Sequence, residues 1–429
     1  MPRKRRPRKA KAVEPLQPLL APPPTVNALS LQKSDEIHYL QHFIYFTTKQ
    51  LALSPTSNNF WLRYALPLAH VSEPIKYSMI AVGVAHRLFM ARSVGYSQPW
   101  ELKRLAIYQY NKAISAILPI MATQPSSSTL HTAMVCCLLF IAFEGLTGRY
   151  NELLQHLRAG NRLFHDASHC KSSSEEHTMI EKLTEIFCRL GVESSSFMDQ
   201  QSLSGISQWC FENTMADSIS HPSFENLDQV SYELRQLDLR YQDKPWETEP
   251  STDDLQSPGV KDAFFQWSLR FDAFVRDKGD NLPSEATAQL QNLRLRQQWW
   301  NLMFDTFSSS EALSNPRTFT LFLYAADTAA APFIAADQPT FSLDGDLVSG
   351  LSFIASVAQV DSVKARALSL LRSLNRREGI WDTRDVVEMH ELMVASSKPE
   401  RQSREYDLRR EADERVGIPG IIHKLRLMS

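Results

Sequence analysis

The run Ala133-Met134-Val135-Cys136-Cys137-Leu138-Leu139-Phe140-Ile141-Ala142-Phe143, closed by Glu144, decides the fold class. It does not alternate with period two, so it does not read as a half-buried strand. A membrane-spanning helix needs about 20 apolar residues, and this run is shorter. It predicts a core helix over Thr129–Leu146. A helix apolar on every face must be surrounded, so other helices have to enclose it.

The flanking sequence supplies them. Upstream, Glu101 to Leu118 carries Leu102, Leu105, Ile114 and Leu118 with Tyr108 and Tyr110, and Pro119 is expected to end it. Before that, Glu73-Pro74 opens a helix, proline suiting a first turn. Ile75, Met79, Val82 and Leu88 form its stripe, and Ala81, Gly83 and Ala85 let a neighbour come close. The first helix begins near the N-cap candidates Ser34 and Asp35. It places Ile37, Leu40, Ile44 and Leu51 on one face and stops before Pro55. Downstream, Asn151 to Ala167 turns Leu153, Leu154, Leu157 and Phe164 inward and Glu152, Gln155 and Arg162 outward. A loop is expected over His169–His177, then helices over Ile180–Leu190, Lys261–Arg276, Ser284–Ser308, Asn315–Ala336 and Leu347–Arg376.

With 14 glycines, and 23 prolines gathered mostly outside the periodic segments, a turn-rich β architecture is disfavoured. No fixed-period repeat points to a solenoid. The fold expected is therefore all-α, a large multi-helix body over residues 31–395. A disordered basic and proline-rich arm, 1–30, precedes it, and a charged tail, 396–429, follows. The acidic, proline-containing stretch 243–258 marks a sub-lobe boundary.

Charge is uneven. The net value is −2, but Arg3, Lys4, Arg5, Arg6, Arg8, Lys9 and Lys11 contribute seven positive charges, so the rest of the chain carries −9. A mildly acidic body binds DNA phosphates poorly. Phosphate contact and capture by a nuclear import receptor are therefore assigned to those seven residues. Charge on a flexible arm has no rigid element to enter a groove, so base reading is not expected of it alone. The five cysteines, Cys136, Cys137, Cys170, Cys188 and Cys210, have no regular spacing and do not read as a disulfide framework.

Chemistry-bearing patterns are sparse. There is no Cys-x-x-Cys, and Cys136 and Cys137 point about 100° apart on one helix, as core residues do. His38 and His42 lie one helical turn apart without an evident third ligand, and read as interfacial or exposed histidines. His390-Glu391 lacks a second histidine four residues on. No Gly-x-Ser-x-Gly elbow or Gly-rich phosphate loop is present, and Leu343-Asp344-Gly345-Asp346 reads as a turn. Glu144 ends the apolar run and is expected to pair with an arginine or sit at a helix end. Trp299, Trp300, Phe264, Phe265, Trp267, Phe271 and Phe274 read as core rather than as the lining of a ligand cavity. Neither a catalytic residue, a metal nor another cofactor is expected.

Several passages in order carry a resemblance: Asn59-Phe60-Trp61 with Leu66-Pro67; Glu73-Pro74-Ile75 into Ala81-Val82-Gly83-Val84-Ala85-His86; Tyr108 to Ile114; Cys137 to Glu144; His156-Leu157-Arg158-Ala159-Gly160; Arg366 to Leu371; and Gly379-Ile380-Trp381-Asp382. Over roughly residues 35–395 the chain resembles the fungal-specific regulatory (middle-homology) domain found C-terminal to Zn2Cys6 zinc clusters. The resemblance implies an all-helical, non-enzymatic nuclear regulator of transcription, often of secondary-metabolite pathways. Its partners would be DNA, reached directly or through another transcription factor, and a second chain as homo- or heterodimer, with no membrane involved. Members usually carry six N-terminal cysteines; here none precedes Cys136. The basic arm is then the remnant of a linker, or a cluster is encoded upstream of this sequence. The rival expectation is a cytosolic helical scaffold or ligand-sensing module without a DNA role.

Overall fold

The computed structural model describes residues 34–51, 60–93, 99–122, 127–167, 223–242, 258–283, 286–343 and 345–396, together with most of 179–191. The architecture is all-α, as expected, with one small sheet. The basic arm 1–30, the loop 169–177, most of the 243–258 boundary and the tail beyond Ser396 lie outside the described residues.

Helix α1 (Ser34–His42) continues through a π-helical turn, Phe43–Thr47, into α2 (Thr48–Leu51). A second π-helical turn, Trp61–Ala65, leads into α3 (Leu66–Val71). Then come α4 (Glu73–Met90), α5 (Pro99–Met121), α6 (Ser127–Thr147) and α7 (Tyr150–Ala167). The apolar run Ala133–Phe143 lies in α6, buried on every side by α4, α5 and α7. Gly83 does what its size allows: a Cβ there would land on the Tyr39 carbonyl, so α1 crosses α4 at backbone distance. Gly160 likewise admits the ring of Phe187. At the α6–α7 corner Gly148 takes φ 75°, and the Arg149 amide donates to the Glu144 carbonyl at 2.9 Å, which closes α6 as glycine C-caps do.

Two further cores follow. Helices α8 (Leu227–Gln242), α9 (Pro258–Lys278) and α10 (Thr287–Ser308) enclose Phe264, Trp267, Phe271, Phe274, Trp300 and Phe304. These aromatics stack on one another and form core, as expected, except that Phe265 faces outward. The other face of α10, with Trp299 at its edge, packs on α11 (Thr320–Ala336), α12 (Leu347–Val357), α13 (Asp361–Ser373) and α14 (Thr383–Ser396). Between these helices lie β1 (Thr340–Ser342), β2 (Arg376–Glu378) and β3 (Trp381–Asp382), with β1 parallel and β3 antiparallel to β2.

Several expectations are corrected. The inward face of the first helix is Glu36, Leu40, Phe43, Thr47 and Leu51, with Ile37 outside and Ile44 half-buried. Glu36 can be buried because Lys112 and the Gln109 amide each reach it at 3.2 Å. Helix α5 does not end at Pro119 but runs through it to Met121, so close to the C-terminus that the lost amide costs little. Its inward residues are Leu102, Ala106, Gln109, Tyr110, Ala113 and Ile117, while Leu118 is exposed. Asn315–Ala336 begins as a 3₁₀ turn, Pro316–Phe319, before α11. Leu347–Arg376 is two helices and a strand. The backbone breaks at Ala358–Val360, where the Gln359 amide donates to the Leu313 carbonyl at 2.9 Å instead of continuing the helix. Finally, α6 as a whole, and Pro316–Ala336, are long and apolar enough to cross a membrane by length and composition, although no single uninterrupted run is.

Candidate regulatory seam

The residues assigned from sequence to import and phosphate contact, Arg3 to Lys11, lie outside the described residues. Within the body, polar groups gather in buried clusters, and each can be tested for chemistry.

The first sits where α1 meets α4. His42 Nε2 lies 3.2 Å from His86 Nδ1, and the Thr47 hydroxyl lies 2.9 Å from the same nitrogen. The π-helical turn beginning at Phe43 brings Thr47 round to this point. Burial, with Arg87 and His38 nearby, pulls His42 down to about 4; burial and His42 pull His86 down to about 3. Both rings are therefore neutral at physiological pH. His38, which the sequence paired with His42, is exposed and stacks edge-on to Tyr39. Among the described residues no group of three or more His, Cys, Asp or Glu side chains is placed to hold a metal.

The second lies at the end of α6. Glu144 is fully buried, with Arg149 Nε at 3.4 Å. Burial raises its carboxyl against the pull of Arg149, so both sequence expectations hold: a helix end and an arginine. Tyr110 shares a 2.9 Å hydrogen bond with His156, which burial holds down to about 4. The Cys137 thiol, pushed by burial up to about 12, donates to the His156 carbonyl, and burial raises Cys136 as well. These thiols are core groups rather than nucleophiles.

The third cluster joins two parts of the molecule far apart in sequence. Asp382 at the end of β3 accepts from Arg92 Nη1 and Arg377 Nε, each at 2.7 Å. Arg92 follows α4 and also donates twice to Asn375, at 3.0 and 2.7 Å. Arg377 donates onward to the carbonyls of Gly145 and Leu146, at 2.7 and 3.2 Å, so a cation caps the C-terminus of α6 where the helix dipole favours it. Both guanidinium groups lie over the Phe89 ring, at 4.0 and 5.2 Å. Burial alone would raise the Asp382 carboxyl, but Arg377 and Arg92 together hold it below its ordinary value. Around this ionic centre Phe341, Leu343 and Ile380 insert into the core built by α1 to α7, and the Phe341 amide donates to Gln50 at 2.9 Å.

Two neighbouring bridges extend the seam. Arg376 pairs with Glu378 at 2.6 Å, and the second Glu378 oxygen accepts the Val348 amide at the start of α12. A Cβ at Gly345 would collide with that carboxylate. Arg296 spans Asp238 at 2.7 Å and Asp346 at 2.6 Å, tying α8 to α10 and to the turn before α12. Arg377 thus touches the end of α6 and, through Asp382, the start of α14, where the Arg384 amide donates to the same carboxylate at 2.9 Å. Sequence reasoning quoted His86 and Asp382 only as parts of longer passages and assigned Arg92, Asn375 and Arg377 no role. The available signal was Arg376-Arg377-Glu378-Gly379-Ile380-Trp381-Asp382, charged residues on both sides of a glycine turn, which reads as a hairpin.

The family model described as "Fungal specific transcription factor domain" matches residues 38–254, just over half of the chain. No curated protein and no solved structure matches it. The matched stretch covers α1 from His38 to the end of α8, so one half of the seam lies inside it and the other half outside.

Proposed function

Since the chain belongs to the fungal-specific transcription factor domain family, we propose that it is a nuclear transcriptional regulator controlling the genes of a fungal pathway such as secondary-metabolite synthesis. The observation that carries this reading is the family match over residues 38–254. Arg3, Lys4, Arg5, Arg6, Arg8, Lys9 and Lys11 supply the import signal and auxiliary phosphate contact. The helical body supplies contacts to other proteins, including a partner chain. The seam joins the matched stretch to the C-terminal elements, Arg377 bonding the end of α6 and Asp382 pairing with Arg92.

DNA is reached through the arm directly or through a second transcription factor. The alternative is a co-regulator acting through a partner, in which Cys136 and Cys137, buried in α6, are core groups. Chromatin immunoprecipitation of the tagged chain, with expression profiling of a deletion strain, tests the function. Occupancy at promoters whose transcripts change is expected, and a chain absent from chromatin with an unchanged transcriptome refutes it. Removing residues 1–11 should abolish nuclear accumulation on imaging; undiminished accumulation refutes the import role.

A further inference from the structure

The corner where α1 crosses α4 gathers three histidines. His38 and His42 lie on successive turns of α1, and His86 reaches His42 from α4. Residues four apart on a helix share one face, with Cβ atoms about 5–6 Å apart, which suits two ligands of one ion. The sequence paired His38 with His42 and offered no third ligand; the fold brings one alongside.

Three donor atoms converge there. His42 Nε2 stands 3.2 Å, and Thr47 Oγ1 2.9 Å, from His86 Nδ1. A ring nitrogen has one hydrogen-bonding position, either a proton or a lone pair. Two polar atoms within reach of that nitrogen are one more than a single hydrogen bond uses. The separation suits coordination: imidazole nitrogens each about 2.0–2.1 Å from a tetrahedral zinc ion stand about 3.3 Å apart. The π-helical turn Phe43–Thr47 is what turns Thr47 to this point, and such turns inside helices are frequent at functional sites.

His86 is 0% exposed, and its other ring nitrogen, Nε2, has no hydrogen-bond partner. Whichever nitrogen carries the proton, contacts with Thr47 and His42 leave this buried imidazole half satisfied. A coordinate bond at Nδ1 would offset that cost. His42 is half-buried and His38 exposed, so an ion can enter from the α1 side. The charge of Arg87 acts on both rings. It disfavours a cation held by charge alone, as magnesium and calcium are by carboxylates, but not a late transition metal bonded to imidazole. As the side chains stand, His38 lies edge-on to Tyr39 and outside the cluster. Rotation about its own side-chain bonds is all that joining it requires.

We propose that His42 and His86 bind a zinc ion between α1 and α4, with His38 closing on it as third ligand and the Thr47 hydroxyl facing the fourth position. The ion would pin the first helix to the core. A chain that binds no zinc would leave the nuclear reading untouched, since only this corner is involved.

Zinc titrated calorimetrically into the untagged full chain tests the site, with His42→Gln as the reference. Glutamine can still hydrogen-bond to His86 but is a poor zinc ligand. Wild type should bind one more zinc ion than His42→Gln, so that ions held elsewhere in the chain cancel. Cobalt(II) in place of zinc should give the visible absorption of a tetrahedral site, and His42→Gln should lose it. His38→Ala, at an exposed position, should keep the site but weaken it by at least about tenfold. Added zinc should raise the melting temperature of the wild type and not that of His42→Gln. Equal zinc stoichiometry in the two chains overturns the proposal, as does wild-type melting indifferent to zinc. Should His42→Gln fail to fold, His38→Ala decides: zinc affinity unchanged from wild type overturns the three-histidine site.

Discussion

Helices α6 and α11 are alike in length and apolar character, and they meet opposite fates. The Ser128–Thr147 stretch is 94% buried, and Pro316–Ala336 is 33% buried. The difference lies in what surrounds each. Helix α6 has α4, α5 and α7 around it and Arg377 on its C-terminal carbonyls. Among the described residues helix α11 has α10, α12 and α13 on one side, and Leu321 and Tyr324 on its other side are exposed. Hydropathy records that a surface must be covered; it does not record whether the same chain supplies the cover.

The comparison breaks most sharply at Ile141, fully buried at the centre of α6. Ile141→Asp should cost more than about 4 kcal/mol, because a lone carboxylate would sit among apolar neighbours, and the chain should lose cooperative urea unfolding. Retained cooperativity would mean that α6 is not enclosed as described. Next in size is the seam. Asp382→Ala leaves Arg92 and Arg377 facing each other over Phe89 without their shared carboxylate, and should cost about 3–5 kcal/mol in urea denaturation. Asp382→Asn, which keeps an acceptor, should cost less. Equal losses would show that shape rather than charge holds the seam.

A smaller effect of opposite sign is expected beside it. Burial, with Asp382 adjacent, raises the Asp385 carboxyl from 3.8 to about 6. In the folded chain the proton is held more tightly than in the unfolded chain, so this group's stabilising share is present below pH 4 and lost as pH rises through 6. Asp385→Asn should therefore stabilise the fold by about 1–2 kcal/mol at pH 7 and hardly at all at pH 4. Thermal unfolding at the two pH values checks it, and a gain of equal size at both would place the cause elsewhere.

The parts of the molecule most legible in sequence are those where one residue type answers one physical demand. The apolar run placed α6, Gly83 marked a close helix crossing, and Leu153, Leu154, Leu157 and Phe164 marked the inner face of α7. What was hidden depends on tertiary partners. Glu36 is buried with Lys112 and Gln109, more than 70 positions on, reaching it. Helices α12 and α13 separate because Leu313 offers the Gln359 amide a carbonyl. The Gly379–Ile380 turn is a two-residue hairpin loop with Gly379 at φ 54°, a conformation glycine takes without strain. It was obscured because its strands are two and three residues long, too short to show a period. His86 was likewise hidden, since its meeting with His42 depends on a π-helical turn that periodicity does not reveal.

The smallest expected effect on the fold is the one that completes the comparison. Leu321→Asp places on α11 the same charge that Ile141→Asp places in α6. Because Leu321 faces solvent, the stability of the single chain should change by no more than about 0.5 kcal/mol. A loss at Leu321→Asp as large as that at Ile141→Asp, read in the same urea denaturation, would mean that this face of α11 is enclosed as α6 is.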